Sequence, residues 1–119
     1  MPRKEEHLAK AQHDERFAAS LDVKTTPFAD WIVTALFYAA LHYVEAYFAT
    51  LKRHSGDHRA RDSAVWRDPQ THPIYVDYCE LKNFSINARY FMQQFNQAEI
   101  VLKVQPCLIS IKGRLLPLL

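Results

Sequence analysis

The stretch that most limits how this chain can fold is WIVTALFYAALHYVEAYFA, residues 31–49, which is apolar almost without interruption. A membrane-spanning helix needs roughly 20 such residues, so the length alone would suffice. However, His42 and Glu45 lie past its middle, where a charge is costly in lipid, and no tight clusters of Lys or Arg bracket it. We therefore expect the core helix of a globular protein and no membrane partner.

The polar residues of this helix, which we expect over residues 27–53, form a single stripe. It consists of Asp30, Thr34, Tyr38, His42 and Glu45. A helix that is apolar around the rest of its surface is usually surrounded by other helices, so the stripe is either a window to solvent or a buried polar seam. Because a buried carboxylate needs a partner, we expect Glu45 to pair with His42 or with Arg89. The alternative is that these residues line a ligand site.

Glycine is scarce, with only two residues among 119, which disfavours β-sandwiches and the Gly-rich phosphate loops of Rossmann folds. The hydrophobic periodicity of the other segments predicts four further helices, over residues 3–21, 58–67, 72–91 and 97–113. Gly56 is expected to end the second helix and Pro106 to kink the last one. The sequence thus predicts one all-α domain over residues 1–119, an up-and-down bundle of four or five helices.

The sequence indicates no common catalytic, phosphate-binding or metal site and no signal peptide. It contains no Gly-rich phosphate loop, no nucleophile elbow and no carboxylate pair suited to a metal. Cys79 and Cys107 have neither metal nor redox spacing, so we expect free thiols. The segment MPRKEEHLAK lacks the apolar stretch of a signal peptide. We therefore expect a cytoplasmic protein that uses no metal and no cofactor.

Positive charge is concentrated between residues 52 and 67, although the formal net charge of the whole chain is only +2. In that segment five Lys or Arg residues are opposed only by Asp57 and Asp62. His58 and Arg61 lie one turn apart at the expected start of the third helix, where free backbone N–H groups favour an anion. They are candidates for phosphate binding, and the alternative is a solvent-facing first turn.

Three segments, in this order along the chain, resemble bacterial HEPN domains (higher eukaryotes and prokaryotes nucleotide-binding domains). They are ALFYAALHYVEAYFA at residues 35–49, the basic turn SGDHRAR at 55–61, and a later helix with Tyr78, Leu81, Ser85, Ala88, Arg89 and Tyr90. The opening HLAKAQHDERFAASL looks like the first helix of the same bacterial group, so the similarity spans about residues 5–112. The resemblance implies a HEPN-like all-α bundle that dimerises.

The resemblance also implies an activity, because many HEPN proteins are metal-independent ribonucleases. Active members carry an Arg, usually a polar residue, and a His a few residues later, and two such motifs face each other across the dimer. The matching segment here is RDPQTH, with Arg67, Asp68 and His72. Arg67 would hold the scissile phosphate, Asp68 would orient one of the other two, and His72 would transfer a proton. Pro69 and Pro73 depart from the helical spacing that usually aims Arg and His the same way.

Two classes of function stay open on this evidence. The first is a ribonuclease of toxin–antitoxin or defence type, with Arg67 and His72 supplied by both subunits of a homodimer. The second is a non-catalytic helical module that binds RNA, a nucleotide or a partner protein such as a minimal nucleotidyltransferase antitoxin. In either case we expect a two-fold homodimer, because the apolar surface of the second and fourth helices exceeds what one small bundle can cover.

Overall fold

The computed structural model describes residues 2–119, and it is helical from end to end. Its α-helices are α1 (Lys4–Ala19), α2 (Ala29–Thr50), α3 (His58–Arg67) and α4 (Tyr75–Tyr90). The C-terminal helix consists of three consecutive segments, Gln97–Glu99, a π-helical Ile100–Val104 and Gln105–Leu115, and 3₁₀ turns cover His72–Ile74 and Leu116–Leu118. No strand occurs among the described residues. The prediction of an all-α bundle is confirmed.

The long apolar helix α2 is the centre of the bundle. It packs against α1 along its length and contacts α4 and the C-terminal helix on its other sides. It is long and apolar enough to cross a membrane, but 78% of its apolar window is buried inside the protein. Only Trp31 and Thr50 of α2 are exposed. The expectation that α2 has apolar surface left over for a partner is therefore wrong, because the other helices cover it.

The two ends of α2 differ from the sequence prediction. The helix begins at Ala29, and Thr26 accepts a hydrogen bond from the Phe28 backbone N–H just before it. Its end is not set by Gly56, since neither glycine has a positive φ. Lys52 instead adopts the left-handed conformation with φ 56°, and the next residue, Arg53, donates its backbone N–H to the Phe48 carbonyl. A lysine thus occupies the position where glycine is the usual residue.

Pro106 and Pro73 each lie beside an interruption of regular α-helix. Pro106 lies two residues after the end of the π-helical segment, where a wider turn accommodates a residue that cannot donate to the carbonyl one turn earlier. Pro73 lies in the 3₁₀ turn His72–Ile74, so α4 begins at Tyr75 rather than at residue 72. Thr71 does not cap α4, because its hydroxyl donates to the Val65 carbonyl at 2.8 Å. That bond ties the turn before α4 to α3.

Candidate functional site

Glu45 is the carboxylate of the polar seam, and its partner is Arg61 of α3. Glu45 is 2% exposed, as expected. Its Oε1 accepts a hydrogen bond from Arg61 Nε at 2.6 Å, and both side chains of this ion pair are at least nine-tenths buried. Glu45 pairs with neither Arg89 nor His42, so that part of the prediction is wrong. The ion pair joins α3 to the centre of the bundle.

His58 is the second partner of Arg61. Its Nδ1 lies 3.1 Å from Arg61 Nη1, and because a guanidinium can only donate, Nδ1 accepts and the imidazole is neutral. Burial lowers the pKa of His58, and the positive charge of Arg61 lowers it further. Arg61 is therefore held between Glu45 and His58. It is not free to bind phosphate in the way the sequence suggested.

Arg89 serves the packing of α4 on α2. Its Nη1 donates to the Tyr38 hydroxyl at 3.2 Å, and its Nε donates to the Ser85 carbonyl. The guanidinium also lies over the rings of Tyr38 and Tyr90, 5.5 and 5.0 Å from their centres. These contacts account for Arg89 without a ligand.

His42 pairs with His7 of α1, a contact that was not predicted. The two Nδ1 atoms are 3.1 Å apart, so one ring donates an N–H to the other. Burial lowers the pKa of both rings. The buried residues of α1 are His7, Ala11, Asp14 and Ala18, at steps of four, three and four. That spacing is the signal that could have identified His7 as a core-facing residue.

Asp68 of the RDPQTH segment faces the interior rather than Arg67 or His72. Its carboxylate accepts hydrogen bonds from the Tyr47 hydroxyl at 3.1 Å, from Arg53 Nη1 at 3.5 Å and from the Gln70 backbone N–H at 2.8 Å. It is 8% exposed. The carboxylate has no hydrogen bond to Arg67 or His72, and its contacts instead close the turn after α3.

His72 lies on the surface with one ring nitrogen fixed and the other free. Nδ1 is 2.8 Å from the Trp66 carbonyl, which can only accept, so Nδ1 carries the hydrogen. In the neutral ring Nε2 carries the lone pair, and it has no hydrogen-bond partner within residues 2–119. The imidazole also packs edge-on against the Trp66 indole, with ring centres 4.3 Å apart. This is the tautomer that a general base requires.

Trp66 belongs to a shallow groove on the outer side of α3, which we call the α3 groove. It has a volume of about 470 Å³ and is lined by Arg59, Asp62, Ser63, Trp66, Arg67 and Tyr75. Both arginines are exposed, and Trp66 is 54% exposed. The Tyr75 ring packs edge-on against the indole with ring centres 5.0 Å apart. Sequence reasoning missed Trp66 and Arg59, although an aromatic residue among arginines in the polar helix HRARDSAVWR was the available signal.

One group of side chains has the proximity that a metal site needs. Ligand atoms of Asp77, Glu80 and Cys107 lie within 4.8 Å of one another. Each is already engaged, since Ser110 donates to Asp77 at 2.6 Å and the Cys107 thiol contacts Glu80 and the Lys103 carbonyl. Burial raises the pKa of the Cys107 thiol to about 11, whereas a metal ligand must be a thiolate. These side chains therefore fit hydrogen bonding within the bundle better than a metal.

No family model, curated protein or solved structure matches the chain. The likeness to HEPN domains therefore depends only on the segments quoted above. The surface features with recognisable chemistry are the α3 groove and His72 beside it.

Proposed function

We propose that the α3 groove binds single-stranded RNA and that the chain is a metal-independent ribonuclease with Arg67 and His72 at its reacting centre. The observation that carries this proposal is that Trp66 shares one groove with two exposed arginines and that its ring packs against the His72 ring. Exposed aromatic rings give unpaired bases a surface on which to stack, and arginines bind the phosphates between them.

The chemistry of cleavage follows from the free nitrogen of His72. Nε2 would take the proton of a ribose 2′-hydroxyl while the 2′-oxygen attacks the adjacent phosphorus. The bond from phosphorus to the 5′-oxygen then breaks, and that oxygen leaves with the electron pair and takes a proton from solvent. Arg67 would stabilise the negative charge that grows on the phosphoryl oxygens. The products are a 2′,3′-cyclic phosphate and a 5′-hydroxyl, and DNA is resistant because it lacks the nucleophile.

A second function, RNA binding without cleavage, is favoured by one observation. Asp68 is committed to Tyr47, Arg53 and the following turn, so it cannot orient Arg67 or His72. Without it, Arg67 and the exposed imidazole share no hydrogen-bond partner among the described residues 2–119. Under this alternative the same groove binds RNA and His72 only supports Trp66. A nucleotidyltransferase antitoxin and a cytoplasmic location, both suggested by the sequence, fit either function.

Binding and cleavage are tested by separate measurements. For binding, fluorescence anisotropy of a labelled oligouridylate should show Kd rising at least about fivefold in Trp66→Ala and in Arg67→Ala, since stacking on one base contributes about 1–3 kcal/mol. Arg67→Ala should also lower the slope of log Kd against log salt by about one. Arg16→Ala is the matched control, because Arg16 is an exposed arginine of α1 outside the groove. If Arg16→Ala weakens RNA binding as much as Arg67→Ala does, the α3 groove is not the binding site.

For cleavage, wild type and His72→Ala are incubated with the same RNA in excess chelator. Wild type should yield cyclic-phosphate products, and His72→Ala should yield at least about a hundredfold less, as expected for loss of a general base. His13→Ala, which removes an exposed histidine of α1, should cleave like wild type. RNA that is bound but left intact by wild type would establish the binding-only alternative.

A further inference from the structure

The α3 groove contains one negative group beside its two arginines. Asp62 is the only carboxylate among the described residues that line it. Its side chain is 25% exposed, and its Oδ2 accepts a hydrogen bond from Lys82 Nζ of α4 at 2.5 Å. Lys82 does not exhaust the carboxylate, since each oxygen can accept two hydrogen bonds and the buried Oδ1 has no partner within residues 2–119. Because a carboxylate repels phosphate, Asp62 suits contact with a base rather than with the RNA backbone.

The spacing along α3 puts Asp62 beside the ring of Trp66. The two residues are four positions apart, so they share one face of the helix, and both line the groove. Helical side chains lean towards the helix N-terminus, which directs an indole at position 66 towards the turn that carries Asp62 and Ser63. Trp66 is 54% exposed, which leaves ring surface for a base. A base stacked on Trp66 would therefore have one edge beside Asp62.

Positive groups lie on both sides of this base position. Arg59 is three residues before Asp62, and Arg67 directly follows Trp66. The two arginines are exposed, and their positions are about 12 Å apart along the helix axis. They can bind the phosphates that precede and follow one nucleotide, whereas the groups between them can contact its base. The groove thus offers separate positions for the backbone and for a base.

We propose that the α3 groove selects guanine and that Asp62 is the residue that recognises it, an inference that rests on the proposed RNA binding. Guanine is the RNA base whose Watson–Crick edge carries two adjacent donors, N1–H and the 2-amino group, and an ionised carboxylate can only accept. In adenine and cytosine the amino group lies next to a ring nitrogen with a lone pair. In uracil the N3–H lies between two carbonyls. These three bases therefore bring a lone pair towards Asp62, and guanine does not.

The first experiment measures Kd by fluorescence anisotropy for short labelled oligouridylates that carry G, A, C or U at the central position. Wild type should bind the G oligonucleotide at least about fivefold more tightly than the A oligonucleotide. Adenine is also a purine and stacks well, so this ratio reports on the edge of the base rather than on stacking. Equal Kd values for all four would leave RNA binding intact and overturn the guanine assignment. Absence of binding to all four would overturn RNA binding by the groove as well.

Two variants separate recognition of the base from the ion pair between α3 and α4. Asp62→Asn and Lys82→Gln both remove that ion pair, but only Lys82→Gln keeps the carboxylate. Asp62→Asn should reduce the ratio of the A and G Kd values to about twofold or less, because an amide presents a donor as well as an acceptor. Lys82→Gln should retain the wild-type ratio. Equal ratios in the two variants, with the fold checked by circular dichroism, would show that Asp62 acts only through the ion pair and would overturn the proposal.

Inosine tests the same contact without any change to the protein. It is guanosine without the 2-amino group, so it keeps the N1–H and loses one of the two donors. Wild type should bind an oligouridylate with a central inosine at least about threefold more weakly than the G oligonucleotide and more tightly than the A oligonucleotide. Binding of inosine as tight as that of guanosine would show that the 2-amino group is not bound, and would overturn the assignment of both donors to Asp62.

Discussion

At the scale of single residues, Arg61 decides how α3 is attached to the bundle. Its guanidinium contacts Glu45 at 2.6 Å and His58 at 3.1 Å. The other oxygen of Glu45, Oε2, is buried without a hydrogen-bond partner in the part of the chain that is described. Arg61 is therefore the group that compensates this carboxylate. Breaking a buried ion pair from one side leaves an uncompensated charge, which costs far more than the pair itself contributes.

We expect Arg61→Ala to lower the free energy of unfolding by about 3–5 kcal/mol, because Glu45 would remain buried without its counter-charge. Urea denaturation followed by circular dichroism measures this change. Arg59→Ala, two positions earlier on the exposed side of α3, is the control and should change stability by less than about 0.5 kcal/mol. Similar values for the two variants would show that the Glu45–Arg61 pair is not the main attachment of α3.

The contact between His7 and His42 predicts a loss of stability in acid. Burial holds the pKa of each ring below 6.5, and Glu45, Glu6 and Asp14 only partly oppose this. The unfolded chain then binds more protons than the folded chain, so the free energy of unfolding falls as pH decreases through 6.5. His7→Gln should flatten this dependence in urea titrations between pH 7.5 and 5. His13→Gln, an exposed control, should keep it, and a flat wild-type profile would contradict the prediction.

The burial of Glu45 could be predicted from sequence, but its partner could not. An ionisable residue on an otherwise apolar helix has to be enclosed, and that argument needs only the spacing within α2. The choice between Arg61 and Arg89 depends on how α3 and α4 are rotated about their axes. That rotation is set by many small contacts of Val65, Tyr78 and their neighbours in the core, which no local pattern specifies.

At the scale of helices, the ends depend on single backbone conformations. The bounds of α3 could be predicted because Asp57 is a good N-cap, and its side chain does accept a hydrogen bond from the Ala60 N–H at 2.7 Å. Gly56 does not end α2, because Lys52 adopts the left-handed conformation that glycine usually supplies. In the C-terminal helix a π-helical segment accommodates Pro106. Neither feature has a distinctive residue pattern.

The left-handed conformation of Lys52 predicts a stabilising substitution. A side chain with a Cβ is strained there by about 1–2 kcal/mol, and glycine is not. Lys52→Gly should therefore raise the free energy of unfolding by about 0.5–1 kcal/mol after the greater flexibility of glycine in the unfolded chain is subtracted. Thr50→Gly, inside the last turn of α2, should lower it by a similar amount. If Lys52→Gly is destabilising in thermal and urea denaturation, Lys52 does not adopt a strained left-handed conformation at the end of α2.

At the scale of the whole molecule, the bundle is organised around one helix, and this was the feature most predictable from sequence. The apolar run had to be enclosed on nearly all sides, so the other helices had to surround α2. The α3 groove was less predictable, because Arg59, Trp66 and Arg67 are brought to one surface by the folding of α3 against the core. Surface sites are built from residues that the core does not constrain, so their pattern in the sequence is weak.

The central place of α2 predicts how the molecule opens. Amides in the middle of α2, around Val33, Phe37 and Val44, should exchange with solvent deuterium only when the whole protein unfolds, because these side chains are fully buried. Amides of residues 91–96 and of Leu116 and Leu118 should exchange through local opening, since few of these side chains are buried. Arg61→Ala, which destabilises the whole protein, should increase the exchange rate of the α2 amides measured by mass spectrometry. It should leave the exchange rate of the loop amides unchanged. Exchange of α2 that is as fast as that of residues 91–96 in wild type would show that α2 is not the stable centre of the bundle.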